Sequence, residues 1–113
     1  MATFTITGSI RLPAPQLLDG ATAIVGLDNV SMIDARSVRI AETIIAPITG
    51  TLDRIPFSLT VTEPLPRSAS YTLSAEIRRS GAAALSRGDF LTTTAFPWTE
   101  GALEGNVIDV RQI

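Results

Sequence analysis

Two aspartates, Asp28 and Asp34, lie in the stretch GLDNVSMIDARSVRIAETII, which runs from Gly26 to Ile45. A carboxylate pair can hydrolyse a glycosidic bond when a sugar-sized cleft holds the two groups about 5 to 9 Å apart. A carboxylate-rich loop can also hold calcium, but Asp28, Asn29 and Asp34 lack the 1-3-5 oxygen spacing and the distal Glu of an EF-hand loop. The hydrolase reading lacks room, because no long loop separates the strand-length runs of this 113-residue chain. Turn or strand-end hydrogen bonding is the plain role for both aspartates.

The rest of the inventory is thin. The chain has no His and no Cys, and all nine of its basic residues are Arg. A Ser-His-Asp triad, a Cys nucleophile and the usual zinc sites are excluded. Without Lys, Schiff-base chemistry is excluded as well. No catalytic residue, metal or cofactor is assigned, and the expectation is a protein that is not an enzyme. Arg without Lys reads first as a GC-rich coding bias. A nucleic-acid surface would need clustered basic charge, whereas the Arg are scattered among acids and the net charge is −2, so no nucleic-acid partner is expected. Arg36 and Arg39 read as a solvated strand face rather than an anion site.

The elements that position these residues repeat with a period of two. Phe4, Ile6, Gly8 and Ile10 alternate with Thr5, Thr7 and Ser9. Ile55, Phe57, Leu59 and Val61 alternate with Pro56, Ser58 and Thr60, and Tyr71, Leu73, Ala75 and Ile77 with Thr72, Ser74 and Glu76. Successive side chains on a strand point to opposite faces, so each run has one face for a core and one for water. Pro and Gly punctuate the intervals, in RLPAPQLLDG, TEPLPRSAS and AFPWTEGALEGN. The pattern predicts one all-β domain over residues 1–113, a β-sandwich of about seven mostly antiparallel strands near 3–10, 22–30, 37–46, 55–62, 70–79, 85–94 and 106–112. A helical turn is expected within Ala14–Gly20. In the stretch from Gly26, apolar residues hold no helical stripe, so it reads as two strands joined near Ser31–Ala35.

Three residues are nominated for binding: Trp98, Asp28 and Asp34. Trp98, in FPWTEG, suits either an interface anchor or a cap on one end of the core. Tyr71 is expected at the core edge with its hydroxyl bonded. An open sandwich also leaves unpaired backbone groups at its edges, which can pair with a partner's strand or with a second copy to give a homodimer. Pro47 and Pro56 flank segments that such prolines could protect. No run of about 20 apolar residues is present to span a membrane. The N-terminus MATFTITGSI shows neither a signal peptide nor a lipid-attachment Cys, which reads as soluble, and as cytoplasmic if Met1 is native.

The order of TGSIRLP (Thr7–Pro13), ATAIVGLDNVSMIDARSVRIAE (Ala21–Glu42), IPFSLTV (Ile55–Val61), SYTLSAEIR (Ser70–Arg78), GDFLTTTAFP (Gly88–Pro97) and WTEG (Trp98–Gly101) resembles the YbaY/YscW-like lipoprotein family of bacteria. The strongest element is Leu27 to Ala35, and the likeness spans nearly the whole chain. It implies a small β-sandwich exported to the periplasm or outer membrane. Its pilotin members act as assembly chaperones that escort a secretin subunit. The absent leader and acylated Cys depart from that pattern, and the resemblance brings no catalytic residue. The expected function is a binding or chaperone-like module recognising a protein partner, an outer-membrane or secretion component, by an edge strand or a groove. The alternatives are a carrier of an apolar or acyl ligand between the sheets, and a carbohydrate-binding accessory module using Trp98.

Overall fold

The computed structural model describes residues 3–30, 38–62, 70–79, 87–92, 96–99 and 102–113. Nine strands follow one another: β1 (Phe4–Leu17), β2 (Thr22–Asn29), β3 (Val38–Ile45), β4 (Thr51–Val61), β5 (Tyr71–Arg78), β6 (Phe90–Leu91), β7 (Phe96–Trp98), β8 (Asn106–Asp109) and β9 (Arg111–Gln112). They form a three-stranded sheet ordered β4-β1-β8 and a six-stranded sheet ordered β3-β2-β5-β6-β9, with β7 also paired to β5. The all-β sandwich is the fold predicted from the alternation.

One bent ribbon builds most of it. β1 runs antiparallel to β4, from Phe4 opposite Val61 to Leu17 opposite Thr51. Beyond Leu17 the pairing continues: Leu18 N–H donates to Gly50 O, Gly20 N–H to Ile48 O, and Ile48 N–H to Ala21 O. β2 then meets β3, from Ala23 opposite Ile45 to Asn29 opposite Val38. Residues 4–29 and 38–61 are thus the two arms of a single long hairpin folded over itself, and each sheet takes one half. The fold-over carries Gly20 and Gly50, at φ 82° and 87°, a region that side chains with a Cβ seldom enter. Asp19 Oδ1 accepts from Gly50 N–H there. On the far side the chain crosses between sheets once more at Val110, whose N–H donates to Arg11 O between β8 and β9.

The core lies between the sheets. Ile6, Ile10, Leu59 and Ile108 from one sheet meet Val25, Leu27, Leu73, Ile77 and Phe90 from the other, all buried. Burial of the Tyr71, Leu73, Ala75, Ile77 series is the alternation written into the sequence.

Five local expectations are corrected. Among the described residues there are nine strands, where about seven were expected. Residues 106–112 split into β8 and β9 because Val110 takes the chain from one sheet to the other. The Pro-rich stretch expected as a turn is a bulge inside β1, whose register shifts between Arg11 and Gln16, so residues 14–17 are strand and not a helical turn. The run expected at 85–94 is strand only at Phe90–Leu91 among the described residues: at Thr92 the backbone N–H still donates to Ala75 O at 3.0 Å, but the partner bond goes to the side chain, whose Oγ1 accepts from Ala75 N–H at 2.8 Å. FPW, expected in a connection, is β7. One pair departs from the antiparallel pattern, since β8 lies parallel to β1.

Candidate functional site

The longest unpaired edges belong to β3 and β4, the outer arm of the folded hairpin; among the described residues no strand pairs with their far side. β4 is shielded. It carries Pro56 mid-strand and the charged pair Asp53 and Arg54, features that stop a second chain from adding to an edge. β3 is shielded only in its first half, where a register shift between Leu27 and Asp28 sets a bulge opposite β2 near Ile40. From Ala41 to Ile45 the strand is regular and free of proline.

The charges that would guard this segment are turned away from it. Arg39 lies over the outer face of β2, and its Nε donates to Asp28 Oδ1 at 2.6 Å. Its two other nitrogens reach Glu42 Oε1 at 2.9 Å and Ser74 Oγ at 3.4 Å. Ser74 Oγ in turn donates to Asp28 Oδ2 at 3.2 Å. Gly26 makes this possible, because a Cβ there would occupy the space of the Arg39 guanidinium. The clamp consumes Arg39 and Glu42, and one step along the same face stands Ile44, 60% exposed, opposite the buried Ile24. The result is a short open backbone edge with an apolar side chain and no free charge pointing outward: geometry that suits main-chain pairing with an extended peptide.

The nominated residues fall in different places. Asp28 is 9% exposed and belongs to the clamp, with its carboxylate engaged by Arg39 and Ser74; this matches the strand-end hydrogen bonding expected of it. Asp34 and Arg36 lie outside the described residues. Trp98 is 3% exposed and closes one end of the core. Its ring stacks on Phe4 at 6.0 Å and meets Tyr71 edge-on at 6.2 Å, and its Nε1–H donates to Ala102 O. A ring so enclosed presents no platform to a sugar. Among the described residues, the space between the sheets is lined by the buried side chains of the core. Arg39 and Gly26 were not singled out from sequence as site residues. The available signal was a glycine in the interior of a strand, which marks close approach of another group.

A second polar feature lies on the other sheet. On its outer face Arg54, Arg11 and Asp109 sit side by side, since Arg11 is in register with Arg54 on β4 and with Asp109 on β8. Arg11 grips Asp109 with Nε at 2.5 Å and Nη2 at 2.9 Å. The Arg11 hydrogen bonds hold the Asp109 carboxyl below its ordinary range, with help from the charges of Arg111 and Arg54; the same pairing raises Arg11.

The fold defines a class, the two-sheet β-sandwich with open sheet edges. Over nearly its full length it is similar to a solved structure, an alternative pilotin from the type II secretion system of Vibrio cholerae. The TM-score is 0.77 at 22% identity, covering 99% of this chain and 98% of that one. At that identity the likeness is one of fold, and the pilotin-like fold implied by the sequence resemblance is the fold found. No family model and no curated protein matches the sequence. Among the described residues, no helix is long and apolar enough to cross a membrane.

Proposed function

We propose that this protein is a non-enzymatic, chaperone-like binding module that captures an extended segment of a protein partner along Ala41–Ile45 of β3. The observation that carries the reading is the open edge whose neighbouring charges, Arg39 and Glu42, are clamped onto the sheet face. Likeness of fold to a pilotin supports a partner among the components of a secretion system, and with it a place at the bacterial periplasm or outer membrane. In this reading Asp28 acts by holding Arg39 off the edge, and Trp98 by fixing the end of the sandwich. Asp34, shortly before β3 in sequence, stays a candidate on sequence grounds.

The test is capture from extracts of its own cells by the tagged protein and by Ile44→Lys, with bound proteins identified by mass spectrometry. Ile44 is exposed, so the variant folds while placing a charge on the edge. A secretion or outer-membrane protein retained by the parent and lost from the variant supports the proposal. Equal retention by both refutes the edge as the site. A dimer of the parent that Ile44→Lys dissociates would assign the edge to a second copy instead.

A further inference from the structure

The row Arg54–Arg11–Asp109 breaks a rule of sheet pairing. Like charges directly opposite each other on neighbouring strands are destabilising, and Arg11 faces Arg54 across the β1–β4 ladder. Asp109 compensates on one side only, and its carboxylate is already taken by the fork of Arg11. Arg54 and Arg111 form no ion pair among the described residues. Asp53, the next residue along β4, belongs to the opposite face by strand alternation.

Arg11, Asp109 and Arg111 border a concavity, and Arg54 stands beside them through its register with Arg11. The bulge in β1 and the crossing at Val110 leave an open cleft of about 350 Å3 lined by Arg11, Leu12, Pro13, Asp109, Val110 and Arg111. Its size falls at the low end of the small-ligand range, about 300 to 1,000 Å3. Three Arg and one Asp give the patch a charge of +2 on a chain whose net charge is −2. That contrast points to a discrete anion. Membrane recognition takes clusters of roughly four to eight basic residues, more than are gathered here, and the remaining chain is acidic. A carboxylate suits two guanidinium groups, which present their donors in a planar fork.

We propose that this cleft is a second binding site, for the carboxylate side chains of an acidic peptide, received by Arg111 within it and by Arg54 alongside it, next to the pre-formed Arg11–Asp109 pair. The inference does not rest on the edge of β3, which is at the opposite end of the six-stranded sheet from Arg111 on β9. The lowered Asp109 pKa is consistent with it, because Arg54 and Arg111 both act on that carboxylate.

The experiment is titration calorimetry of the whole protein with the peptide acetyl-Leu-Asp-Asp-Leu-amide, its Asn-Asn analogue, inorganic phosphate, and vesicles containing anionic lipid. The acidic peptide is expected to bind, its analogue about tenfold or more weaker, as charge-assisted hydrogen bonds are worth about 1.5 to 3 kcal/mol. Arg54→Gln and Arg111→Gln should each weaken the acidic peptide by about tenfold, while Ile44→Lys leaves it unchanged. Raising salt should weaken it further. Both Arg are exposed, so circular dichroism should show the fold intact. The assignment is overturned if no probe binds, if the Asn-Asn analogue or phosphate binds as well as the acidic peptide, if only vesicles bind, or if the Gln variants bind like the parent. Because Ile44→Lys reports on the edge and the Gln variants on the cleft, either site can fail without the other.

Discussion

Two arginines occupy the outer faces of the two sheets and are treated in opposite ways. Arg39 is folded down over Gly26, with Asp28, Glu42 and Ser74 as partners. Arg11 stands on an open face with one partner, Asp109, and two further cations nearby. The first arrangement engages all three nitrogens of its guanidinium and fixes structure; the second leaves Arg11 Nη1 and two neighbouring guanidinium groups unengaged among the described residues. An ion pair's partners therefore say less about its role than the donors left unused around it. Salt sharpens the contrast, because exposed pairs are screened and partly buried ones much less so.

Breaking the closed arrangement should cost most. Gly26→Val puts carbon where the guanidinium lies, evicts Arg39 from all three partners, and leaves Asp28 with Ser74 alone. A loss of about 2 kcal/mol in urea unfolding is expected, below the range for a fully buried pair because Arg39 is partly exposed. Asp28→Ala keeps the Arg39–Glu42 contact and should cost less, about 1.5 kcal/mol, as expected for a hydrogen bond to a charged group. An unchanged midpoint for both would show that the clamp is ornamental.

The open arrangement should barely register in stability. Asp109→Asn is expected to leave the melting temperature at neutral pH within error, since both partners are largely exposed. Its signature is in pH. The folded-state pKa of Asp109 is lowered from 3.8, so its contribution is present above that value and fades as pH falls through the folded pKa. Stability of the parent should drop slightly more than that of Asp109→Asn as acid is added below about pH 4. The reverse order would mean that Arg11 does not favour the ionised carboxylate.

Sequence legibility followed the same division. The faces of β4 and β5 could be read because alternation is local: Ile55 to Val61 and Tyr71 to Ile77 declare their own burial. Asp28 was recognisable as a polar residue ending a strand. Its partner was not, because Arg39 reaches it only through a register that a bulge has shifted. The Arg54–Arg11–Asp109 row joins three distant parts of the chain, and no local pattern announces such a meeting. Thr92 was read as one more strand residue, and only tertiary context shows its hydroxyl replacing a ladder bond. Trp98 allowed two readings from sequence, and its stacking on Phe4 depends on the opposite end of the chain.

The folded hairpin has a kinetic meaning. Its pairs are nested, from Asn29–Val38 outward to Phe4–Val61, so each closes a loop already shortened by the one before. Chain entropy for that half is spent largely on the first closure, and later pairs add cheaply in the manner of a zipper. The parallel seating of Asn106–Asp109 on Gly8–Arg11 has no such help, since it joins segments about 98 positions apart. On contact separation alone the hairpin is expected to form first, and the three-stranded sheet, incomplete until residues 106–109 arrive, is expected to set the pace of folding.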